Sequence, residues 1–110
     1  MAEPSLSCVE VRWVANPFRG DKFEAAWSGA AEAALDYGAS SYALFRSKED
    51  PLTFTQLAFF ESKLDWERYW FSEEISAARA EATGLFQVPV VPIWHRVVAM
   101  RSRTTEPVEG

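Results

Sequence analysis

The chain has 110 residues, enough for one domain around one core, with hydrophobic residues at 48%, charged residues at 25% and a formal net charge of −5. An acidic domain with no basic stripe is a poor binder of nucleic acid and of an anionic membrane surface, since both need clustered Lys or Arg. Cys8 is the single cysteine, which excludes an internal disulfide and a cysteine-based metal cluster within one chain.

The opening MAEPSLSCVEV lacks a basic segment followed by an apolar one, and no apolar run approaches the roughly 20 residues of a membrane-spanning helix. Cytoplasmic residence is therefore expected. Aromatic residues reach 15%, with five Trp. Rings in that number need a core, a partner or a ligand pocket to cover them.

Residues 1–6 are expected to be loose. From Ser7 to Asn16 the chain alternates, with Val9, Val11, Trp13 and Ala15 on one side and Glu10, Arg12 and Val14 on the other, which predicts a strand that Pro17 ends. Asp21-Lys22-Phe23-Glu24 has the spacing of a capping box with Asp21 as N-cap. Phe23, Ala26, Trp27, Ala30, Ala31, Ala34 and Tyr37 follow at helical spacing, and Gly38 stands where a helix is left. The stripe of small alanines lets this helix approach a sheet closely.

Ser41 to Ser47 and Leu52 to Glu61 read as two strands joined by the turn formers Ser47-Lys48-Glu49-Asp50-Pro51. In the second of them, Phe54, Gln56, Ala58 and Phe60 share one face, and Thr55, Leu57, Phe59 and Glu61 the other. Both faces carry apolar residues, whereas a sheet covered on one side only has a more polar far side. A second copy of the sheet is the simplest cover. Ser62 and Ser72 are N-cap candidates ten residues apart, so a short helix, a bend and a longer helix to about Thr83 are expected, closed by Gly84. Val88 to Val98 reads as the last strand, with Pro89 and Pro92 confining its first half to an edge or a bulge. The polar tail 101–110 is expected to fray. The order β-α-β-β-α-β predicts an α+β, ferredoxin-like domain over residues 7–100, with two helices on one face of a four-stranded antiparallel sheet in the order 4-1-3-2.

This layout, together with residues 59–79, FFESKLDWERYWFSEEISAAR, resembles the antibiotic biosynthesis monooxygenase family of dimeric α/β barrels. The resemblance covers about residues 7–98 in pattern and is specific only in that aromatic helix region. It implies a homodimer with the two sheets facing each other and the helices outside. It also implies, for several members, oxidation of aromatic polyketide-like or quinol substrates without metal or flavin, so no cofactor and no metal site is expected. Another branch degrades haem, using an Asn in the first strand, a Trp near the end of the third and an iron-ligating His in the last helix. Ungapped matching of residues 59–79 puts Phe60 and Arg79 at the Trp and His positions, and counting back from Gly20 puts Trp13 at the Asn position. Arginine cannot act as a neutral imidazole ligand, so haem degradation by that route is disfavoured.

Cofactor-free oxidation needs a substrate that ionises to an electron-rich anion, a base or hydrogen-bond donors for that anion, and an apolar, water-poor site. The polar candidates are Asn16, Tyr42, Tyr69, Arg79 and His95, and the wall candidates are Trp13, Phe60, Trp66 and Trp70. Each also has a structural use. His95 near a strand end suits a surface or an interface, and Asn16 before Pro17 suits a turn. Trp66 and Trp70, four apart, share a helix face with Tyr69 at its border, as core or dimer contacts do. Arg79 suits an exposed ion pair with Glu73 or Glu74. Glu10 and Arg12 fall on the barrel side, where burial would require partners across a dimer, and Cys8 fits a small buried hydrophobe. The functions that follow are a cofactor-independent monooxygenase of a small aromatic or polyketide-like molecule, or a non-catalytic dimeric module for a small apolar ligand. A cavity between sheet and helices reached by a polar group favours the first, and a core filled by Trp rings the second.

Overall fold

The computed structural model describes residues 6–103. Its elements run β1 (Ser7–Val14), α1 (Gly20–Glu32) with a 3-10 continuation (Ala33–Tyr37), β2 (Ser41–Arg46), β3 (Thr53–Phe60), α2 (Lys63–Trp70), α3 (Glu73–Glu81) and β4 (Ile93–Arg96). The strands form one four-stranded antiparallel sheet ordered β2-β3-β1-β4, the expected order seen from the other edge. The chain has an α+β, ferredoxin-like fold. Of the ends expected to be loose, residues 1–5 and 104–110 lie outside the described residues. Leu6 is tied down, its carbonyl accepting from Val97 N at 3.2 Å. Among the described residues no helix is long and apolar enough to cross a membrane.

Alternation in β1 and β3 fixes which face meets the helices. The register pairs Val9 with Ala58, Val11 with Gln56 and Trp13 with Phe54, so the buried sets of the two central strands coincide. A slip by one residue would turn both sets outward. Phe23 and Trp27 of α1, Trp66, Tyr69 and Trp70 of α2 and Ile75 of α3 close over this face. The opposite face carries Cys8, Glu10, Arg12, Ala43, Phe45, Leu57, Phe59, Ile93 and His95 by the same parity, and no helix or strand among the described residues lies across it.

Two serines cap the broken second helix as their spacing predicted. Ser62 Oγ accepts from Leu64 N and Ser72 Oγ from Ile75 N, each at 3.1 Å. Gly38 leaves the 3-10 segment at φ 104°, and a Cβ there would also stand 2.9 Å from the Asp65 carboxylate. Three expectations need correction. Asp21 is no N-cap: α1 starts at Gly20 after Arg19, with no side-chain cap. Asp21 and Glu24 instead accept from Arg46 Nη1 at 2.8 and 2.9 Å, while Arg46 Nε donates to Pro51 O at 2.7 Å. That cation ties the first turn of α1 to the β2–β3 hairpin, a tertiary demand that outweighs the local cap. Ala26, assigned to the apolar stripe, is exposed. The last strand is Ile93–Arg96 rather than 88–98, because Pro89 and Pro92 cannot donate to a ladder.

One polar residue sits in the middle of this aromatic core. Gln56 is buried, and its Oε1 accepts from Trp13 Nε1 at 3.1 Å and from Trp27 Nε1 at 2.9 Å. Its Nε2 donates to Tyr69 Oη at 3.0 Å, and Tyr69 Oη donates to Ala30 O at 2.7 Å. No buried side-chain nitrogen or oxygen among the described residues lacks a partner. Replacing Gln56 by Leu strands two indole N–H groups and is expected to cost about 2–4 kcal/mol of folding free energy, read from urea unfolding. A loss under about 1 kcal/mol would mean that the indoles find other acceptors.

Candidate functional site

The layer between sheet and helices is occupied by side chains. Trp13 lies 4.6 Å from Trp27, 5.3 Å from Phe23 and 6.1 Å from Trp70, centroid to centroid, and Trp66 stacks on Trp70 at 5.0 Å and 24°. Phe60 and Tyr69 complete the packing against Trp66. Trp13 and Phe60 face the helices, as expected, and there they meet other rings.

The cluster opens to solvent beside Trp70. Trp70, Ser76, Arg79, Ala80, Thr83, Phe86, Val88 and Val90 line a groove of about 420 Å³ that is open to solvent. Its floor follows from helix geometry and from the break at Phe71-Ser72. Capping by Ser72 restarts the helix so that Arg79 folds back over α2, its guanidinium 4.3 Å from the centre of the Trp70 ring. Arg79 Nη1 donates to Trp70 O at 2.8 Å and Nη2 to Ser76 Oγ at 3.4 Å. Glu73 and Glu74 are not its partners; Glu74 accepts instead from Tyr37 Oη at 3.0 Å. Burial lowers the Arg79 pKa from its ordinary value, with Tyr69 acting the other way. A guanidinium so placed remains a cation at neutral pH. Its five N–H donors exceed the two hydrogen bonds that it makes here.

Asn16 holds the opposite wall. Its Nδ2 donates to Gly84 O at 2.7 Å and its N–H to Leu85 O at 2.8 Å, while Gln87 N donates to Val14 O at 2.8 Å. These bonds fix the stretch after α3, where Gly84 takes φ 94°, and so place Phe86 edge-on to Trp13 at 5.0 Å. Asn16 thus serves turn geometry and the position of a groove residue together.

The remaining candidates lie apart from the groove or turned away from it. The Tyr69 proton is committed to Ala30 O within the core. Tyr42 lines a separate groove of about 520 Å³ at the β2 edge, with Glu24, Ser28, Arg46 and Phe54. His95 stands on the uncovered face of the sheet, its Nε2 2.9 Å from Glu10 Oε1, with the whole sheet between it and Arg79. The fold therefore brings Trp66, Trp70 and Arg79 together, with Trp13 and Asn16 adjoining, and leaves Tyr42 and His95 outside. Among the described residues no group of three or more His, Cys, Asp or Glu could hold a metal ion. Gln56 escaped the sequence reading as a functional candidate. Its only signal is a polar side chain on the apolar parity of β3.

No protein-family model and no curated protein matches the chain. Solved structures do match, and they share its α+β, ferredoxin-like fold. A proposed antibiotic biosynthesis monooxygenase from Bordetella bronchiseptica is 21% identical with a TM-score of 0.74, over 86% of this chain and 99% of that one. A protein of the same description from Nitrosomonas europaea is 11% identical with a TM-score of 0.77, over 89% and 95%. A mutant of SnoaB, a cofactor-independent oxygenase from Streptomyces nogalater, is 10% identical with a TM-score of 0.74, over 87% and 96%. The expected resemblance thus holds at the level of the fold, which these TM-scores establish.

The buried tyrosine has a consequence in alkali. Tyr69 is pushed up from 10.0 to about 12, chiefly by burial, against the lowering effects of the Gln56 hydrogen bond and the Arg79 charge. A phenol whose folded pKa exceeds its unfolded one stabilises the fold fully below the unfolded value and loses that contribution as pH rises through the folded one. Urea midpoints should therefore fall between pH 10 and 12, and Tyr69→Phe should flatten that fall.

Proposed function

We propose that the chain binds a small planar aromatic anion in the Trp70–Arg79 groove and promotes its oxidation by dioxygen without a cofactor. The observation that carries this reading is the Arg79 guanidinium held over the Trp70 ring at the edge of an apolar groove. A phenolate or enolate oxygen pairs with the uncommitted N–H donors, and its ring lies against Trp70, Phe86 and Val90. The cation stabilises the ionised, electron-rich form, which is the form that reacts with oxygen. For a ring methylene the atoms balance within the substrate: CH₂ plus O₂ gives C=O plus H₂O, the substrate supplying all four electrons. The fold shared with the cofactor-independent oxygenase from Streptomyces nogalater supports the same reading.

A second reading is binding without turnover. It is favoured by the groove lining, which among the described residues includes no His, Asp or Glu and hence no evident base. A substrate would have to be acidic enough to enter as its anion. Aerobic and anaerobic incubations with hydroxylated anthrones and quinols, followed by mass spectrometry, separate the two. Oxygenation is expected to give an O₂-dependent product above the protein-free rate. Arg79→Ala should lower kcat/KM by about 100-fold, the cost of a lost oxyanion donor. Arg79→Lys should retain part of the rate, since charge survives and planar stacking does not. Saturable binding of these compounds with no product would assign the second reading.

We also propose that the working unit is a homodimer formed through the uncovered sheet faces, in the cytoplasm, where the free thiol of Cys8 is at home. Phe45 is 54% exposed and Ile93 49%, with Leu57 and Phe59 between them. Sedimentation is expected to give dimers at micromolar concentration, and Phe59→Glu, which places a carboxylate on that face, to give folded monomers.

A further inference from the structure

We propose that the outer edge of β2 receives an extended peptide segment as a fifth strand, whose alternate side chains fill the groove between α1 and β2. Hydrogen-bond parity shows that the edge is open. Ser47 N donates to Thr53 O at 2.9 Å and Ser40 N to Phe59 O at 2.8 Å, so the odd-numbered residues of β3 turn their backbone groups toward β2. The even-numbered side turns toward β1, as Leu52 does in accepting from Ala15 N at 2.7 Å. In the register Ala43 stands opposite Leu57 and Phe45 opposite Thr55, so Ala43 and Phe45 bond to β3. Tyr42, Leu44 and Arg46 therefore turn their N–H and C=O groups away from the sheet. Among the described residues no strand pairs with that side.

The two edges of the sheet are built differently. β4 is four residues long and follows Pro89 and Pro92. β2 runs six residues, Ser41–Arg46, without proline, glycine or lysine. Natural sheets use short strands, prolines and lysines to keep foreign strands off their edges. An edge without them, beside a groove, has the parts of strand addition: backbone bonds hold the partner and pockets take every second side chain.

The groove lies on the matching side. It has a volume of about 520 Å³ and is lined by Tyr42, Leu44, Arg46 and Phe54 with Glu24 and Ser28 of α1. Tyr42, Leu44 and Arg46 stand opposite Ala58, Gln56 and Phe54, so the residues with outward backbone groups also carry the side chains on the helix face. An added strand lays every second side chain over them and continues the other face beside Ala43 and Phe45. The polar side chains of the wall are engaged within the chain. Glu24 Oε1 accepts from Arg46 Nη1 at 2.9 Å, and Ser28 Oγ donates to Glu24 O at 2.6 Å. What an occupant gains is the apolar surface of Tyr42 and Leu44 together with the backbone row. The segment that fits is extended, free of proline, and β-branched or aromatic at alternate positions. A small molecule could fill the groove, but it would not pair a row of backbone groups at strand spacing.

Amide exchange and chemical shifts of the full chain test this, with a synthetic octapeptide of alternating threonine and valine between terminal lysines as the probe, added to millimolar concentration. The amides of Tyr42, Leu44 and Arg46 should exchange freely without peptide and slow at least about fivefold with it, while those of Ala43 and Phe45, already in the ladder, change little. The same peptide with two central prolines should have no effect. Leu44→Ala should keep the response. Leu44→Pro should fold and lose it, because the N–H it removes lies outside the ladder. Ala43→Pro removes a ladder bond and should lower the urea midpoint. Should Leu44→Pro not fold, the alternation of protection in the unaltered chain decides alone. Protection of Tyr42 and Leu44 before peptide is added overturns the proposal, and if that protection grows with protein concentration the edge belongs to a second copy. No change at millimolar peptide, a change without alternation, or an equal effect of the proline peptide also overturns it.

Discussion

The fold hangs on one amide. Gln56 places its carbonyl oxygen between two indole N–H groups and its amide nitrogen against a phenol oxygen. Only one orientation of the amide serves all three, because the indoles can only donate. The partners come from β1, α1 and α2, so a single side chain on β3 sets the distance of both helices from the sheet. An apolar residue there would leave three large rings free to repack. With the amide present, the rings have one arrangement, and the cluster ends at Trp70 in a defined place.

That endpoint makes the groove possible. Trp70 offers one ring face to Trp66 and a carbonyl and ring to Arg79. A long flexible cation becomes a fixed one through two hydrogen bonds and a stack. The opposite wall is set from β1, through Asn16 and the backbone of Gly84 and Leu85. Groove and core are therefore one construction, while the ionisable residues His95, Glu10 and Arg12 belong to the other side of the sheet.

What could be read from sequence was local. The alternation of Val9, Val11 and Trp13, and of Phe54, Ala58 and Phe60, fixed the buried faces. Ser62, Ser72 and Gly38 act within a turn of where they stand. Asp21 shows the limit: its capping-box spacing is real, but Arg46, far along the chain, takes the carboxylate. Arg79 was visible as a candidate, yet its seat on Trp70 depends on the angle of the helix break, which spacing does not give. Gln56 could be placed on the apolar face by parity alone. Its partners at 13, 27 and 69 become neighbours only in the folded sheet. Tyr42 and His95, grouped with the others by residue chemistry, are separated by the edge and the thickness of that sheet.

The two prolines that shorten β4 shape how the molecule meets others. Beyond Ile93–Arg96 the outer edge of the sheet offers little unbroken backbone, since Pro89 and Pro92 have no N–H to give. A foreign strand cannot readily extend the ladder from that side into a filament. A chain this rich in aromatic and apolar surface thereby offers little open backbone for edge-to-edge growth on that side.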